Sequence, residues 1–222
     1  MLSPQRAMKR ITSDCLPYTR SVSSWVDLRF EGQEDATNIS NSGPAAITEV
    51  TVSGQKITRT YKKYGLSSWY GGTIAQYSTF KVPNFFLTAF GSWEIDFWLR
   101  LGDYAGSSAR SVLTLQYKRG NATKTIHLYR EVFSGNKLSL ALPGQSVAYL
   151  LNNWDAGTWY NIVLEYNGTN IKAFLDGTLY KTCTDIPDAT ETDATKLIRF
   201  GPGEQYGVAH AFWIDNFKII EI

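Results

Sequence analysis

The sequence predicts an all-β protein built as a sandwich of two antiparallel sheets. Short segments of alternating apolar and polar residues follow one another from residue 25 onward, separated by Gly, Asn, Asp and Pro. No long stretch shows the apolar repeat of a helix; only "GQSVAYLLNNW" is compatible with a helical turn. The composition agrees, because 7 Trp, 13 Tyr and 11 Phe favour strands and 43% hydrophobic residues indicate a packed core.

The first half of the chain predicts strands in a clear order. "SWVDLRFEG" places Val26, Leu28 and Phe30 on one face, and "AITEVTVSG" and "GTIAQYSTFKV" alternate in the same way. "SVLTLQYKRGNATKTIHLYR" predicts two strands joined at "RGNA", and Pro143 with Gly144 stops the strand "NKLSLALPG".

The second half predicts a three-stranded meander in "TWYNIVLEYNGTNIKAFLDGTLYKTC". The pairs Asn167-Gly168 and Asp176-Gly177 supply residues that adopt the positive φ angles of tight hairpin turns. "TKLIRFG" and "AHAFWIDNFKIIEI" then predict the closing strands.

Residues 1–24 are predicted to form an N-terminal arm, with a short helix near Ser3 and Pro4, ahead of a single domain at 25–222. The basic residues of the arm are Arg6, Lys9, Arg10 and Arg20. A basic arm on a near-neutral body suits either docking to an acidic partner or simple solvation, and a net charge of +2 gives no reason to expect nucleic acid.

The redox and targeting signals predict a protein made in a cytosol. Cys15 and Cys183 allow one disulfide at most, and we expect two free thiols because nothing else indicates export. The N-terminus lacks the apolar core of a signal peptide, and no stretch approaches the ~18 apolar residues of a membrane helix. We therefore expect synthesis without a signal peptide and no membrane insertion.

Four segments resemble the laminin-G-like, concanavalin A-type jelly rolls: "DLRFEG" with "NISNSGP", "SWEIDFWLRL", "WDAGTWYNIVLEYNGTNIKAFLDGTLY" and the closing "FWIDNFKIIEI". The resemblance covers nearly all of 25–222 and implies a two-sheet jelly roll, but it identifies function poorly. Such modules also occur in bacteriophage virion proteins. The resemblance therefore implies a virion-surface protein, as a capsid decoration or tail-fibre component, whose arm contacts other virion proteins or copies of itself.

The strand "SWEIDFWLR" separates catalysis from binding. Laminarinase-type glycoside hydrolases of this fold carry E-[I/L]-D-x-E, or the same motif with one more residue, and use two carboxylates as nucleophile and acid/base. Glu94 and Asp96 fill the first two places, but the third falls on Trp98 or Leu99, which cannot transfer a proton. We therefore expect a non-enzymatic protein, unless another strand supplies the missing carboxylate.

Two places are candidates for carbohydrate binding. One face of the strand carries Glu94, Asp96, Trp98 and Arg100, while Trp93, Ile95, Phe97 and Leu99 point inward. Aromatic rings stack on sugars and carboxylates accept their hydroxyl protons; the alternative is a partly covered sheet face in which Arg100 pairs with an acid. "SSWYGG" places Trp69 and Tyr70 in a loop, with the alternative that Trp69 packs over a sheet edge.

No cofactor is predicted, and Ca²⁺ is the metal that the resemblance allows. The available loop acids are Asp155, Asp176, Asp185, Asp188, Asp193 and Asp215, none of them in a calcium-loop spacing. His127 and His210 lie in no nucleophile or zinc pattern, and His127 in "TIHLY" is predicted to be a strand residue.

Overall fold

The fold is described from a computed structural model. It describes residues 25–44, 46–71, 76–82, 92–103, 109–119, 122–131, 137–144, 146–167, 170–183, 197–201 and 211–222. These residues form fifteen strands and no helix, which confirms the all-β prediction. The strands are β1 Trp25–Leu28, β2 Thr48–Ser53, β3 Lys56–Thr58, β4 Ser68–Tyr70, β5 Tyr77–Lys81, β6 Trp93–Leu101, β7 Arg110–Arg119, β8 Ala122–Glu131, β9 Lys137–Ala141, β10 Ala148–Leu151, β11 Trp159–Tyr166, β12 Ile171–Leu175, β13 Thr178–Cys183, β14 Leu197–Phe200 and β15 Phe212–Glu221.

The strands form the two antiparallel sheets of a jelly-roll sandwich, as predicted. Sheet A has the order β13-β12-β11-β6-β15-β4-β3, with β1 also paired to β15, and sheet B has the order β10-β9-β8-β7-β14-β5-β2. About half of the described pairings join consecutive strands, and the others, such as those of β6 with β11 and β15, join strands that are distant in sequence.

The core lies between the sheets and follows the alternation of the sequence. On β6, Trp93, Ile95, Phe97 and Leu99 are buried and the residues between them are half-buried, as the pattern predicted. Aromatic rings of both sheets meet in the centre, where Phe217 of sheet A lies 5.1 Å from Phe200 and 6.3 Å from Phe80 of sheet B. Burying each such side chain stabilises the fold by about 1.5–3 kcal/mol.

The predicted turn at Asp176-Gly177 joins the strands on either side of it, whereas Gly168 of the other predicted turn lies outside the described residues. Asp176 and Gly177 have φ angles of 47° and 76°, and they connect Leu175 to Thr178, which lie opposite each other on β12 and β13. β7 and β8 are also paired in antiparallel register up to Arg119 and Ala122, as expected for the two strands predicted on either side of "RGNA".

The helical turn suggested for "GQSVAYLLNNW" is wrong where the structure describes this segment. Residues 148–151 form strand β10, which pairs with β9, and Ala148 and Leu150 point into the core. A short apolar run fits either structure from sequence alone, and pairing with β9 decides in favour of the strand.

Strand β15 contains a bulge that the sequence analysis did not identify. Asp215 lies opposite Trp98 and Lys218 lies opposite Asp96, so β15 has one more residue than β6 in this interval, and Asn216 has a φ of 50°. The extra residue lets Ile214 and Phe217 both face the core although they are three apart. The bulge therefore places Asp215 and Lys218 on the same face of sheet A.

Several predictions concern residues near or beyond the described ones. Cys183 is a buried free thiol, whereas Cys15 and the predicted arm at 1–24 lie outside the described residues. None of the described residues forms a helix of the length and apolarity that a bilayer crossing requires.

Candidate functional site

The predicted binding residues of β6 lie on the outer face of sheet A, which points away from the core. On this face Trp98 lies between Asn161 of β11 and Asp215 of β15. Two residues away, Asp96 has Val163 and Lys218 as its neighbours. Cross-strand neighbours on one face have Cβ atoms about 5 Å apart, so these side chains form a continuous surface.

Residues 59–66 cross over part of this outer face, and we call them the binding loop because they cover the face that was predicted to bind carbohydrate. The ring centroid of Tyr61 lies 4.8 Å from that of Trp213, edge to face, and the guanidinium of Arg100 lies 3.7 Å from the centre of the Tyr61 ring. Tyr64 contacts Trp98 at 5.7 Å in the same edge-to-face geometry. The loop therefore packs on the outward-facing rings of Trp98 and Trp213. These two rings and the neighbouring ring of Tyr70 are called the aromatic floor.

The cations in this cluster stack on rings. Arg100 donates through Nη1 to the carbonyl of Gly157 at 2.9 Å, and Nζ of Lys63 lies 4.0 Å from the centre of the Trp98 ring. The alternative of a partly covered sheet face is right about the cover, which the loop supplies. It is wrong about Arg100, whose partners among the described residues are this carbonyl and the rings of Tyr61 and Trp213 rather than an acid.

Trp69 is not a surface residue, and its predicted role in glycan binding needs correction. Its side chain is completely buried, it stacks on Phe30 at 5.6 Å, and its Nε1 donates to Oε1 of Gln55 at 2.9 Å. Tyr70 does lie on the outer face, half-buried and 5.3 Å from Trp213. Because residues alternate along β4, only one of these two rings can face outward.

The exposed aromatic residues of this region are on the binding loop. Tyr64 is 51% exposed and Tyr61 is 39% exposed, and Leu66 beside them is also exposed. The residues predicted from "SSWYGG" were Trp69 and Tyr70, and they do not include Tyr64, which lies three residues before that segment. The glycine and serine content of "SSWYGG" suggested a loop, whereas Ser68 to Tyr70 form the short strand β4, which lies between β15 and the edge strand β3.

Acceptor groups continue the outer face beyond Trp98. Asn161 donates through Nδ2 to Oδ1 of Asp96 at 2.6 Å. Burial raises the pKa of Asp96 above its ordinary value, and the bond from Asn161 and the charge of Lys218 partly offset that shift. Burial also raises the pKa of Glu94, and the charges of Asp96 and Glu165 add to the effect.

The structure brings a third carboxylate to this face that the sequence analysis did not name. Glu165 of β11 lies directly opposite Glu94, and its Oε1 accepts from Nζ of Lys172 at 3.0 Å. Like charges opposite each other destabilise a sheet. Lys172 and Lys218 offset part of this repulsion at Glu165 and Asp96, whereas the charges that act on Glu94 are the like charges of Asp96 and Glu165.

The acids considered for Ca²⁺ are dispersed where they are described. Asp215 accepts from the binding loop, and Asp176 accepts the backbone N–H of Asn161 at 2.8 Å. No group of three His, Cys, Asp or Glu side chains suited to a metal occurs within the described residues. Asp185, Asp188 and Asp193 lie outside them.

A second polar cluster on sheet B has the atoms of a nucleophile and a base. Oγ of Ser111 lies 2.7 Å from Nε2 of His127, which stacks on Tyr129. Both Ser111 and His127 are buried, and burial lowers the pKa of His127 to about 4. Because a substrate cannot reach these atoms, the cluster is structural. His127 is a strand residue, as predicted.

Comparison with known proteins agrees with this architecture. A sequence profile described as the concanavalin A-like lectin/glucanases superfamily, of laminin G type, matches residues 72–221. No curated protein sequence matches the chain.

The solved structures that resemble the chain include binding domains of botulinum neurotoxins. The receptor-binding domain of botulinum neurotoxin D has a TM-score of 0.64 at 12% identity, over 90% of this chain and 50% of that one. A structure described as showing that cell entry of botulinum neurotoxin type C depends on two ganglioside molecules has a TM-score of 0.59 at 14% identity, over 90% and 49%. The chain thus spans about half the length of these proteins, and the likeness is one of fold.

Proposed function

The chain belongs to the concanavalin A-like lectin/glucanase superfamily, and from this premise we propose that it is a non-enzymatic module that binds carbohydrate on the outer face of sheet A. The observation that carries the proposal is the exposed ring of Tyr64, which contacts Trp98. Trp98 lies opposite Asn161, which donates a hydrogen bond to Asp96 on the same face. Carbohydrate sites combine an aromatic ring, on which the apolar face of a sugar stacks, with hydrogen-bond acceptors held in fixed positions.

A sugar ring at this site would stack on Tyr64 and donate hydroxyl hydrogens to the acids. Asp96 and Glu94 are half-buried acceptors one strand repeat apart, roughly 7 Å. A chain of two or more sugars lying along β6 would therefore reach both. The ganglioside dependence stated for the type C neurotoxin structure, which shares this fold, supports a glycan as the ligand class.

Replacing Tyr64 with alanine tests the proposal. We expect the affinity for a bound oligosaccharide to fall about tenfold, the effect of losing roughly 1.4 kcal/mol of stacking. The probes are neutral hexasaccharides of glucose, mannose and galactose and the oligosaccharide headgroup of a ganglioside, screened on an array and measured by titration calorimetry. Tyr149→Ala is the matched control, because Tyr149 is 46% exposed on β10 of the other sheet. An array that is blank for the wild type at millimolar ligand contradicts the proposal.

Hydrolysis is the second candidate, because Glu165 lies opposite Glu94. Retaining hydrolysis needs two carboxyl groups about 5 Å apart, and directly opposed residues are spaced for that distance. Trp98 and Leu99 still occupy the place of the usual third acid, and for that reason binding is the first proposal. New reducing ends from the same hexasaccharides, lost in Glu94→Gln, would reverse this order.

The finer proposal is that the module is a virion structural protein, displayed on a capsid or tail and made in the host cytoplasm. The support is the resemblance to phage modules and the basic segment at 1–24, which lies outside the described residues. We expect the full chain to self-associate and the chain from Ser24 onward to be monomeric in size-exclusion chromatography with light scattering. Two monomers of equal thermal stability would count against an arm that assembles copies of this chain.

A further inference from the structure

The binding loop is held by carboxylates from other parts of the chain. At its start the N–H of Arg59 donates to Glu34, and at its end the N–H of Leu66 donates to Glu31 at 3.0 Å. In the middle, the N–H groups of Lys63 and Tyr64 both donate to Oδ2 of Asp215 at 2.8 Å. Glu31 and Glu34 are exposed, whereas Asp215 is 1% exposed. The central bonds are therefore the ones shielded from water.

The bulge in β15 delivers this carboxylate to the loop. In a regularly paired strand, Ile214 and Phe217 would point to opposite faces because they are three apart. The bulge lets both face the core while Asp215 points outward. Asn216 takes the positive φ that the bulge needs, and its own N–H adds a third bond to Asp215.

We propose that Asp215 is the positioning residue of the binding loop, the group that holds the Tyr64 ring at the ligand surface. The inference deepens the proposed function and rests on it for its consequence in binding. Its geometric basis is direct: Asp215 bonds the backbone of Tyr64, and Trp98, which the Tyr64 ring contacts, is its cross-strand neighbour. The buried carboxylate of Asp215 thus holds the backbone of the loop against the aromatic rings on which the side chains of the loop pack.

The bonds to Asp215 are the strong kind. Hydrogen bonds from backbone N–H to an ionised carboxylate are roughly twice as strong as neutral ones, and burial shields them further. The charged group that acts on Asp215 is Glu31 of the segment after β1, whereas Lys63 contacts it through its backbone N–H. Glu31 also accepts from the loop, at Leu66, so the two carboxylates act on the same segment from two sides.

Hydrogen exchange of the free protein, followed by mass spectrometry, tests the inference without any ligand. In Asp215→Ala, the protection of the Lys63 and Tyr64 amides should fall about tenfold or more, while amides in the centre of β6 keep theirs. Asp215→Asn keeps one acceptor oxygen without the charge and should show an intermediate loss. Asp176→Asn is the matched control, because Asp176 also accepts a backbone N–H but lies in the turn between β12 and β13; it should leave the loop unchanged.

Two exchange results would overturn the inference. One is loop protection in Asp215→Ala within about twofold of the wild type. The other is a loss spread equally over β6 and β15, which would make Asp215 a general stability residue. If Asp215→Ala does not fold, the Asp215→Asn comparison carries the same decision.

Binding of the array-selected hexasaccharide then separates this inference from the proposed function. A wild type that binds no sugar contradicts the function, while a loosened loop in the variants still supports Asp215 as the residue that holds it. If the wild type binds the sugar and Asp215→Ala binds it equally well despite a loosened loop, Asp215 does not position the loop for binding. The proposed function is then unaffected. We expect Asp215→Ala to lose affinity about as far as Tyr64→Ala.

Discussion

Replacing Gln55 with leucine is expected to destabilise the protein by about 4 kcal/mol, a large part of the roughly 5–15 kcal/mol by which a domain is stable. Gln55 is completely buried between the sheets. Its Oε1 accepts from Trp69 Nε1 and Ser78 Oγ, and its Nε2 donates to three backbone carbonyls. Leucine fills similar space but leaves these groups without a partner. A urea unfolding curve measures the loss of free energy of unfolding. In a thermal melt, the midpoint should be lower by roughly 10 °C.

Gln33→Leu is the control for this prediction, because Gln33 is an exposed glutamine on the segment between β1 and β2. It should leave the midpoint nearly unchanged. Equal midpoints for the two variants would show that the buried bonds of Gln55 contribute no net stability. The prediction also bears on the site, since Gln55 holds Trp69, and the next residue on β4, Tyr70, belongs to the aromatic floor.

The fold was largely predictable because its signals are local. Alternation along β6 identified the inward residues correctly, and Asp176-Gly177 marked its turn through the backbone angles it must adopt. The bulge of β15 was not predicted, although a trace of it is visible in "FWIDNFKII". The core residues there are spaced by two, three and two, and Asn at the irregular step is a residue that tolerates positive φ.

The site was predictable only in part, because it depends on contacts between distant segments. The outer face of β6 followed from period-two alternation. The binding loop did not, because "RTYKKYGL" has no periodicity and its position is set by acids 35 or about 150 residues away. The position of Trp69 was predicted wrongly for a similar reason. No local pattern shows that the indole N–H of Trp69 will donate to a buried glutamine, Gln55, which lies between β2 and β3.

The pH dependence of stability is the other large effect, and it comes from His127. Burial lowers its pKa to about 4 in the folded protein, whereas an unfolded histidine titrates near 6.5. Between these values the unfolded chain binds a proton that the folded protein does not, so stability falls as pH falls through this window. The change is about 1.4 kcal/mol per pH unit, and about 3 kcal/mol in all. In His127→Gln this loss should be absent.

Urea unfolding of both proteins at pH 7, 6, 5 and 4 measures this difference, and subtracting the two curves removes what the carboxylates contribute.

Glu94→Gln is the control of opposite sign. Because burial and the charges of Asp96 and Glu165 raise the pKa of Glu94, its ionised form destabilises the fold at pH 7, and that penalty disappears as pH falls through the raised value. Glu94→Gln should thus be more stable than the wild type at pH 7 and lose this advantage in acid, while His127→Gln gains on the wild type. Parallel curves for wild type and His127→Gln would mean that His127 is protonated equally in both states. The two opposite effects of pH come from different sheets. On sheet B, the fold is most stable while His127 is neutral. On the outer face of sheet A, the ionised Glu94 destabilises the fold, and a ligand that donates hydroxyl hydrogens would offset that cost.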